Sequence, residues 1–211
     1  MRSASPLLLA ELDSAVSGLV FSAPDQRFAD LVSGLPRGRR PLVIVAAATA
    51  EDVAFAMSVA GRQGLPVSVL PAGRTPARRG GVLILTTLLR RVEVDPESST
   101  ARVPAGAGWA ELVREARRYG LRPAPGTRGA SAESLSDAEV VGYEVVTPNG
   151  RFVQVDPIGD ADLFWALRGG HAQPATVTET RVRLVPFEDE RWSAEDAEAV
   201  VREWSRELVL S

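Results

Sequence analysis

The sequence predicts an α+β fold of two lobes. A short apolar strand at 42–45, a helix opened by Thr49 and a second strand at 66–70 form a strand-helix-strand unit, the pattern of parallel strands. Two later stretches, 92–103 and 140–155, each have the two strands and central turn of a hairpin. We therefore expect a small parallel lobe, a mixed or antiparallel sheet with helices, and a cleft between the lobes.

The first lobe starts with a predicted amphipathic helix over residues 6–19, because leucine and valine recur there at helical spacing. A short strand at 20–21 and a turn at 24–28 follow. Thr49 has Asp52 three residues after it, which is the spacing of a capping box. The second helix of this lobe is therefore expected to begin at that threonine.

The helix that begins at Thr49 should end at Gly61 or Gly64, since glycine is favoured just beyond the end of a helix. A single helix connects the strands at 42–45 and 66–70. We therefore expect these two strands to be parallel neighbours in the sheet.

The second lobe is predicted from turn residues and glycines. Turns at 95–99 and 148–150 separate the strands of the two hairpins. The Gly-Ala-Gly stretch at 106–108 opens a helix that runs to Tyr119, but it lacks the third glycine of a dinucleotide-binding fingerprint. The proline-rich residues 121–126 are predicted to form an extended loop.

The stretch 162–170 is the most informative part of the chain. It predicts a short helix with an apolar stripe that ends at two glycines and leads through a loop into a strand at 176–185. Such a junction can bring backbone close to a ligand. Ser193 is expected to cap a final amphipathic helix, and Tyr143 and Trp165 are expected to be packing residues.

Composition excludes several kinds of chemistry. The 211 residues contain no cysteine, and all 24 basic residues are arginines, so thiolate, disulfide and lysine Schiff-base chemistry are excluded. A single histidine, His171, does not favour a zinc site. A net charge of −3 gives no basic face for nucleic acid, and no apolar run could span a membrane. We expect a cytoplasmic protein, and the arginine and alanine bias is typical of a bacterial genome.

Several phrases, in this order, resemble the FAD-binding (PCMH-type) domain of the vanillyl-alcohol-oxidase and berberine-bridge-enzyme-like superfamily. They are residues 40–45, 51–53, 64–67, 92–97, 107–112, 125–127, 144–150, 162–170 and 177–179. The resemblance implies the two-lobe PCMH-type fold, in a shortened and degenerate form. It also implies a FAD-binding-type domain over 1–187 and a C-terminal helix at 188–211 that is the remnant of a substrate domain.

Three loops that hold the cofactor in this superfamily differ here. In relatives the first is glycine-rich and contains a histidine that can bond to the flavin, whereas this chain has Pro71, Ala72, Gly73, Arg74 and Thr75. Pro71 has no N–H to donate, and Ala72 does not easily take a positive φ. An anion-binding nest needs both properties. Arg74 stands where the histidine would be, so no histidyl–flavin bond can form there, although its charge can hold an anion.

The other two loops depart in a similar way. Relatives carry a long glycine-rich segment, sometimes with a flavin-linked cysteine, after the Pro-Gly-Thr at 125–127. Here the gap is only 128–143 and contains no cysteine. After Gly170, relatives continue with glycines, an asparagine and a phenylalanine, which are replaced here by the residues at 171–175.

These departures lead us to expect that FAD is absent or weakly held. A cofactor-independent cyclase or isomerase acting on a polyketide-like metabolite ranks first among the functions. A noncovalent FAD-binding oxidoreductase, or the FAD-binding subunit of one, ranks second. A non-catalytic binding module ranks third, because the fold alone does not give the function.

For the first of these functions, Arg74 is the expected anchor for an anion or carbonyl, and His171 the expected donor or general acid–base. Either residue could equally be an ordinary loop residue. The pocket for substrate or cofactor is expected to be lined by Pro71, Ala72, Gly73, Thr75, Gly126, Thr127, Arg128, Gln173 and Val177. The expected partners are a small-molecule substrate and a second copy of the chain or a partner subunit.

Overall fold

The structure is a computed structural model that describes residues 4–36, 40–70, 80–124, 138–169 and 175–187. The helices in these ranges are α1 (Pro6–Ala15), α2 (Gln26–Ser33), α3 (Ala50–Arg62), α4 (Trp109–Arg117) and α5 (Ala161–Gly169). The strands are β1 (Leu19–Ser22), β2 (Val43–Ala46), β3 (Val67–Leu70), β4 (Val82–Leu85), β5 (Glu93–Asp95), β6 (Thr100–Pro104), β7 (Leu121–Pro123), β8 (Val140–Val146), β9 (Phe152–Val155) and β10 (Thr176–Pro186). The mixed α+β class is confirmed.

The first sheet has four strands in the order β1-β2-β4-β3. Strands β2 and β3 are each parallel to β4, whereas β1 is antiparallel to β2. The prediction that β2 and β3 are neighbours is wrong, because β4 lies between them and pairs with both. A strand in the centre of a sheet pairs its backbone N–H and C=O groups on both sides. The sequence pattern indicates an apolar strand but not which strands lie beside it.

Two helices of this region differ from their predictions. Helix α1 ends at Ala15 rather than continuing to residue 19. Helix α2 begins within the stretch 24–28 that was predicted to be a turn and continues to Ser33. Its N-cap is Asp25, whose side chain accepts a hydrogen bond from the Arg27 N–H at 2.8 Å. It buries Phe28 and Val32.

The predicted start of α3 is confirmed. The Thr49 hydroxyl accepts a hydrogen bond from the Asp52 N–H at 3.2 Å, and the two residues form a capping box. Gly61 lies inside the helix, whereas Gly64, with a φ of +61°, follows its end. Of the two glycines predicted to end the helix, Gly64 is therefore the correct one.

The second sheet has six strands, with the order β5-β6-β10-β8-β9 and with β7 paired to β10. Both predicted hairpins are confirmed, as β5 is antiparallel to β6 and β8 to β9. The stretch predicted to be a loop after Gly120 instead forms β7, antiparallel to the end of β10. Leu121 and Pro123 are buried on one side of this strand, and packing outweighs the proline signal there.

The chain divides into two compact units. The first comprises Met1–Arg91, Pro104–Ala107 and Gly142–Thr180, and the second comprises Val92–Val103, Gly108–Val141 and Arg181–Ser211. The predicted C-terminal helix at 188–211 lies outside the described residues, so a domain boundary at 187 stays a prediction, as does the cleft. Among the described residues no helix is both long and apolar enough to cross a membrane.

Candidate functional site

Most residues predicted for the site lie outside the described residues, and their roles stay predictions. They are Pro71, Ala72, Gly73, Arg74, Thr75, Gly126, Thr127, Arg128, His171 and Gln173. Val177 is described and is half-buried in β10. What the structure defines is the set of residues at either side of the three predicted loops, and these can be examined for how they would place a ligand.

The first predicted loop follows the carboxyl edge of the parallel strands. Ala46 and Leu70, the last residues of β2 and β3, are both in register with Leu85, the last residue of β4. In open sheets of parallel strands, ligands bind outside this edge. None of these three side chains is charged. Leu70, the residue before the first predicted loop, therefore lies at the edge of the sheet where a ligand is expected.

The amino terminus of α3 lies beyond the same end of β2, but it is already occupied by a carboxylate of the chain. Asp52, which is 2% exposed, accepts backbone hydrogen bonds from Ser17 at 2.8 Å, Gly18 at 3.0 Å, Ala48 at 2.8 Å and Thr49 at 3.3 Å. A free helix N-terminus is a common phosphate site. Here the Asp52 carboxylate places a negative charge in the first turn of α3, which disfavours a second anion at this helix start.

Thr86 connects the edge of the parallel sheet to the segment before α4. Its N–H donates to the Leu70 carbonyl at 3.2 Å, and its buried hydroxyl donates to the Ala105 carbonyl at 3.4 Å. Gly106, the residue after Ala105, donates its N–H to the Leu89 carbonyl at 2.9 Å. A Cβ atom at Gly106 would lie 1.9 Å from the Thr86 carbonyl oxygen, so only glycine fits.

The Gly-Ala-Gly stretch thus has two roles. Gly108 is the N-cap of α4, as predicted, and its N–H donates to the Glu111 carboxylate at 2.7 Å. The role of Gly106 was missed, because the close contact with Thr86 joins segments that are distant in sequence. The signal available in the sequence was a second glycine two residues before Gly108.

A second set of hydrogen bonds ties the same segment to β10. The Ala105 N–H donates to the Thr178 carbonyl at 2.9 Å. The Thr178 hydroxyl is shared between the Glu144 carbonyl at 3.2 Å and Glu144 Oε1 at 3.0 Å. Gln154 Nε2 donates to Glu144 Oε2 at 2.9 Å. We call the connected residues Leu70, Thr86, Ala105, Thr178, Glu144 and Gln154 the flank network, since it joins residues beside the first and third predicted loops.

Helix α5 packs an aromatic cluster onto β8. Phe164 is buried, with its ring 5.5 Å from that of Tyr143 and 5.3 Å from that of Trp165. Burial raises the pKa of the Tyr143 phenol, and the positive charge of Arg168 opposes this shift. Trp165 is 59% exposed, so its prediction as a packing residue is wrong, although its ring contacts Phe164 and the Arg168 guanidinium lies 5.8 Å from its centroid.

The segment 125–137, which contains most of the second predicted loop (128–143), is flanked by residues that are joined directly. The Glu139 N–H donates to the Ala124 carbonyl at 2.9 Å, and the Ala124 N–H donates to the Arg183 carbonyl at 2.9 Å. The Arg183 backbone N–H donates to the Glu139 carbonyl at 2.8 Å. Arg183 Nε donates to the Glu139 carboxylate at 2.7 Å. These three residues belong to the second unit.

The second unit also has an open depression of about 600 Å³ that sequence reasoning did not anticipate. It lies over β5 and β6, with the cross-strand pairs Glu93–Arg102 and Asp95–Thr100 in its lining. The Ser98 hydroxyl bond lowers the pKa of Asp95, which also accepts from the backbone of its own turn. This is the polar face of an antiparallel sheet. In the described ranges no cluster of side chains could hold a metal ion.

Comparison with known proteins identifies a family model described as "FAD binding domain", which matches residues 41–156. The chain is 28% identical over 184 residues to (R)-6-hydroxynicotine oxidase of Paenarthrobacter nicotinovorans. The matched stretch covers 76% of this chain and 40% of that enzyme. The chain thus spans well under half of the length of this relative.

Two solved structures are similar in fold. The structure of 6-hydroxy-D-nicotine oxidase from Arthrobacter nicotinovorans has a TM-score of 0.68 and 26% identity, with 88% of this chain and 44% of that chain covered. The second is the glucooligosaccharide oxidase of Acremonium strictum, described with a 6-S-cysteinyl, 8α-N1-histidyl FAD. It has a TM-score of 0.67 and 21% identity, with 85% of this chain and 42% of that chain covered.

Proposed function

Because the chain belongs to the FAD-binding domain family, whose model matches residues 41–156, we propose that it is the FAD-binding part of an oxidoreductase and holds FAD without a covalent bond. The family match is the observation that carries this proposal. It supports FAD as the cofactor and does not support the expectation that FAD is absent. The mixed α+β architecture is the PCMH-type fold expected from the resemblance.

The residues present fit noncovalent FAD. The strand ends at the carboxyl edge of the first sheet carry no charge that would repel a pyrophosphate, and the Asp52 carboxylate is buried among its own backbone donors. The chain has no cysteine for a 6-S-cysteinyl bond, and Arg74 stands where relatives carry a linking histidine.

In this function the protein residues bind and orient the cofactor. Arg74 would supply a positive charge to the pyrophosphate. Bound FAD supplies hydride acceptance, which no side chain of this chain can perform. The specificity for a substrate depends on parts of the site other than these donors.

The test is purification of the chain with added FAD, followed by gel filtration and visible spectroscopy. We expect flavin to travel with the folded protein and to be released in full on denaturation. Arg74→Ala should weaken FAD binding about tenfold, as expected for loss of one charge-assisted hydrogen bond. Arg151→Ala, at an exposed arginine of the β8–β9 turn, is the matched control. A protein with no measurable affinity for FAD would refute the proposal.

A second candidate is the cofactor-independent cyclase or isomerase, favoured by Pro71 and Ala72, which weaken a phosphate-binding nest. Arg74 would then hold an anion or carbonyl, and His171 would act as donor or general acid–base. Catalysis would come from holding a flexible substrate in a reactive conformation and from donors aimed at developing charge. Arg74→Ala or His171→Ala should then lower flavin-free turnover on the order of a hundredfold. Unchanged turnover in both variants would exclude this site.

We also propose that the chain works as a homodimer or with a partner subunit. Several large apolar side chains are exposed among the described residues: Leu7, Leu88, Ile158 and Trp165. Exposed apolar groups often mark interaction surfaces when they are contiguous. Light scattering across a range of concentrations should give a mass above that of one chain, and a strict monomer with no partner would count against assembly.

A further inference from the structure

The flank network is a hydrogen-bonded connection inside the first unit that links two segments predicted to contact the cofactor. Leu70 directly precedes the first predicted loop, and Thr178 lies two residues into the strand that follows the third. Between them run the bonds from Thr86 N–H to Leu70, from the Thr86 hydroxyl to Ala105, and from Ala105 N–H to Thr178.

We propose that Glu144 and Thr178 are positioning residues of the flavin site. Their hydrogen bond holds the start of β10 in place against Ala105, and thereby sets where the first and third predicted loops leave the fold. This inference rests on the proposed FAD-binding function, because it assigns a role to residues around the same site.

Burial and chemistry favour a specific role for this bond. Thr178 is 2% exposed, and a buried hydroxyl is costly unless it has a partner. Its partner is a carboxylate, which makes stronger hydrogen bonds than a neutral group. Gln154 holds the other carboxylate oxygen, so the Glu144 side chain is fixed from both sides.

The connection runs through backbone as well as side chains. The Thr178 carbonyl accepts the Ala105 N–H, so a change in the position of Thr178 is transmitted to the segment before α4. Gly106, the next residue, is packed against the Thr86 carbonyl with no room for a Cβ atom. Ala105 therefore has little freedom to follow a displaced Thr178 without breaking this contact.

The same strand offers a matched control. Thr180 is two residues further along β10, on the same side of the sheet, and is also buried, at 8% exposed. Its side chain does not bond to Glu144. Thr178→Val and Thr180→Val therefore remove the same atom from similar surroundings, but only the first breaks the flank network.

The experiment measures FAD affinity by fluorescence titration and amide hydrogen exchange at Ala105 in the flavin-free protein. Thr178→Val should weaken FAD binding about tenfold and speed exchange at Ala105 about tenfold, as loss of a hydrogen bond to a charged group implies. Thr180→Val should leave both near the wild-type values. Thr178→Ser, which keeps the hydroxyl, should have FAD affinity and Ala105 exchange near the wild-type values. Glu144→Gln keeps one side-chain oxygen for Thr178, so it should change both quantities less than Glu144→Leu does.

Equal weakening of FAD binding by the two valine variants would overturn the proposal, since it would indicate general destabilisation of β10. Unchanged Ala105 exchange in Thr178→Val would overturn it as well. Because hydrogen exchange at Ala105 is measured without flavin, it tests the flank network independently of the proposed FAD-binding function. A wild-type chain that binds no FAD would refute the proposed function and, with it, the positioning role, even if the network protects Ala105.

Discussion

The two sheets of this protein handle polar groups in different ways. In the first sheet, every residue of β2 is buried and apolar, and the polar group that organises the region, Asp52, lies outside the strands. In the second sheet, buried polar side chains such as Thr178 and Thr180 lie within β10 itself. The first sheet is therefore a frame whose polar contacts are at its edge, whereas the second has hydrogen-bonding groups built into the strand surface.

Two aspartates make this contrast concrete. Asp52 is buried and joins backbone segments that are more than thirty residues apart in sequence, from Ser17 to Ala48. Asp95 is exposed and accepts hydrogen bonds only from Glu97 and Ser98 of its own turn. The same carboxylate–amide chemistry fixes tertiary structure in one sheet and a local turn in the other, so the consequences of losing it should differ widely.

The largest effect is expected at Gly106. A Cβ atom would overlap the Thr86 carbonyl at 1.9 Å, and backbone on both sides prevents relief. Gly106→Ala should therefore abolish soluble folded protein, or lower its stability by on the order of 3 kcal/mol or more, in the range of severe overpacking. Gly34→Ala is the control, because Gly34 has a negative φ and nothing within 4 Å of the added atom. Soluble yield and the midpoint of thermal unfolding are measured for both variants. Equal values for Gly106→Ala and Gly34→Ala would contradict the close contact between Gly106 and Thr86.

Asp52→Ala should have the next largest effect. It leaves several buried N–H groups without their acceptor, at about 1–3 kcal/mol each, so a total loss of about 3–5 kcal/mol is expected. Asp95→Ala, the matched change in the second sheet, should leave the midpoint of urea unfolding close to that of wild type. Similar losses in the two variants would remove the distinction between a tertiary and a local carboxylate.

Tyr143 gives a pH-dependent test of the aromatic cluster on β8. Because burial raises its pKa above the usual 10.0, its contribution to stability is fully present below that value and is lost as the pH rises through the folded-state pKa. Tyr143→Phe should remove this alkaline loss. In Tyr119→Phe, Tyr143 is the only tyrosine, and its tyrosinate absorbance should appear above pH 10.0. A midpoint at or below 10.0 would contradict the burial effect.

The smallest effect is expected at Asp95 in acid. Its pKa is lowered by the Ser98 hydroxyl, so its contribution is present above 3.8, the usual value, and is lost as the pH falls through the folded-state pKa. Asp95→Asn should slightly flatten the acid limb of the stability profile, measured as urea midpoints between about pH 5 and about pH 2. Ser98→Ala, which removes the largest cause of the shift, should flatten it in the same direction. An acid limb identical to wild type in both variants would contradict the assignment.

Local patterns could be predicted from the sequence, whereas long-range ones could not. The capping box at Thr49 and the hairpin turns depend on neighbours a few residues apart, and they are confirmed. The position of β4 between β2 and β3 depends on which strands pack together, and no periodicity encodes it. Helix α2 was missed because it is short and buries only two side chains.

The same limit applies to the site. The order of phrases predicted the fold and the family, but the contact of Thr178 with Glu144 joins residues 34 positions apart. Both residues lie in phrases that carry the family resemblance, 144–150 and 177–179, but the sequence does not indicate that their side chains meet. Arg74 and His171, the residues predicted to act on substrate, lie outside the described residues and stay predictions.

The closure at Ala124, Glu139 and Arg183 has a consequence for how such proteins diversify. Since the residues that flank the segment 125–137 are joined by hydrogen bonds within the second unit, we expect the length of chain between them to affect stability only slightly. Each doubling of such a connection costs only about 0.6 kcal/mol of closure entropy. We therefore expect this junction to tolerate insertion, deletion or exchange of the segment between its ends with little loss of stability.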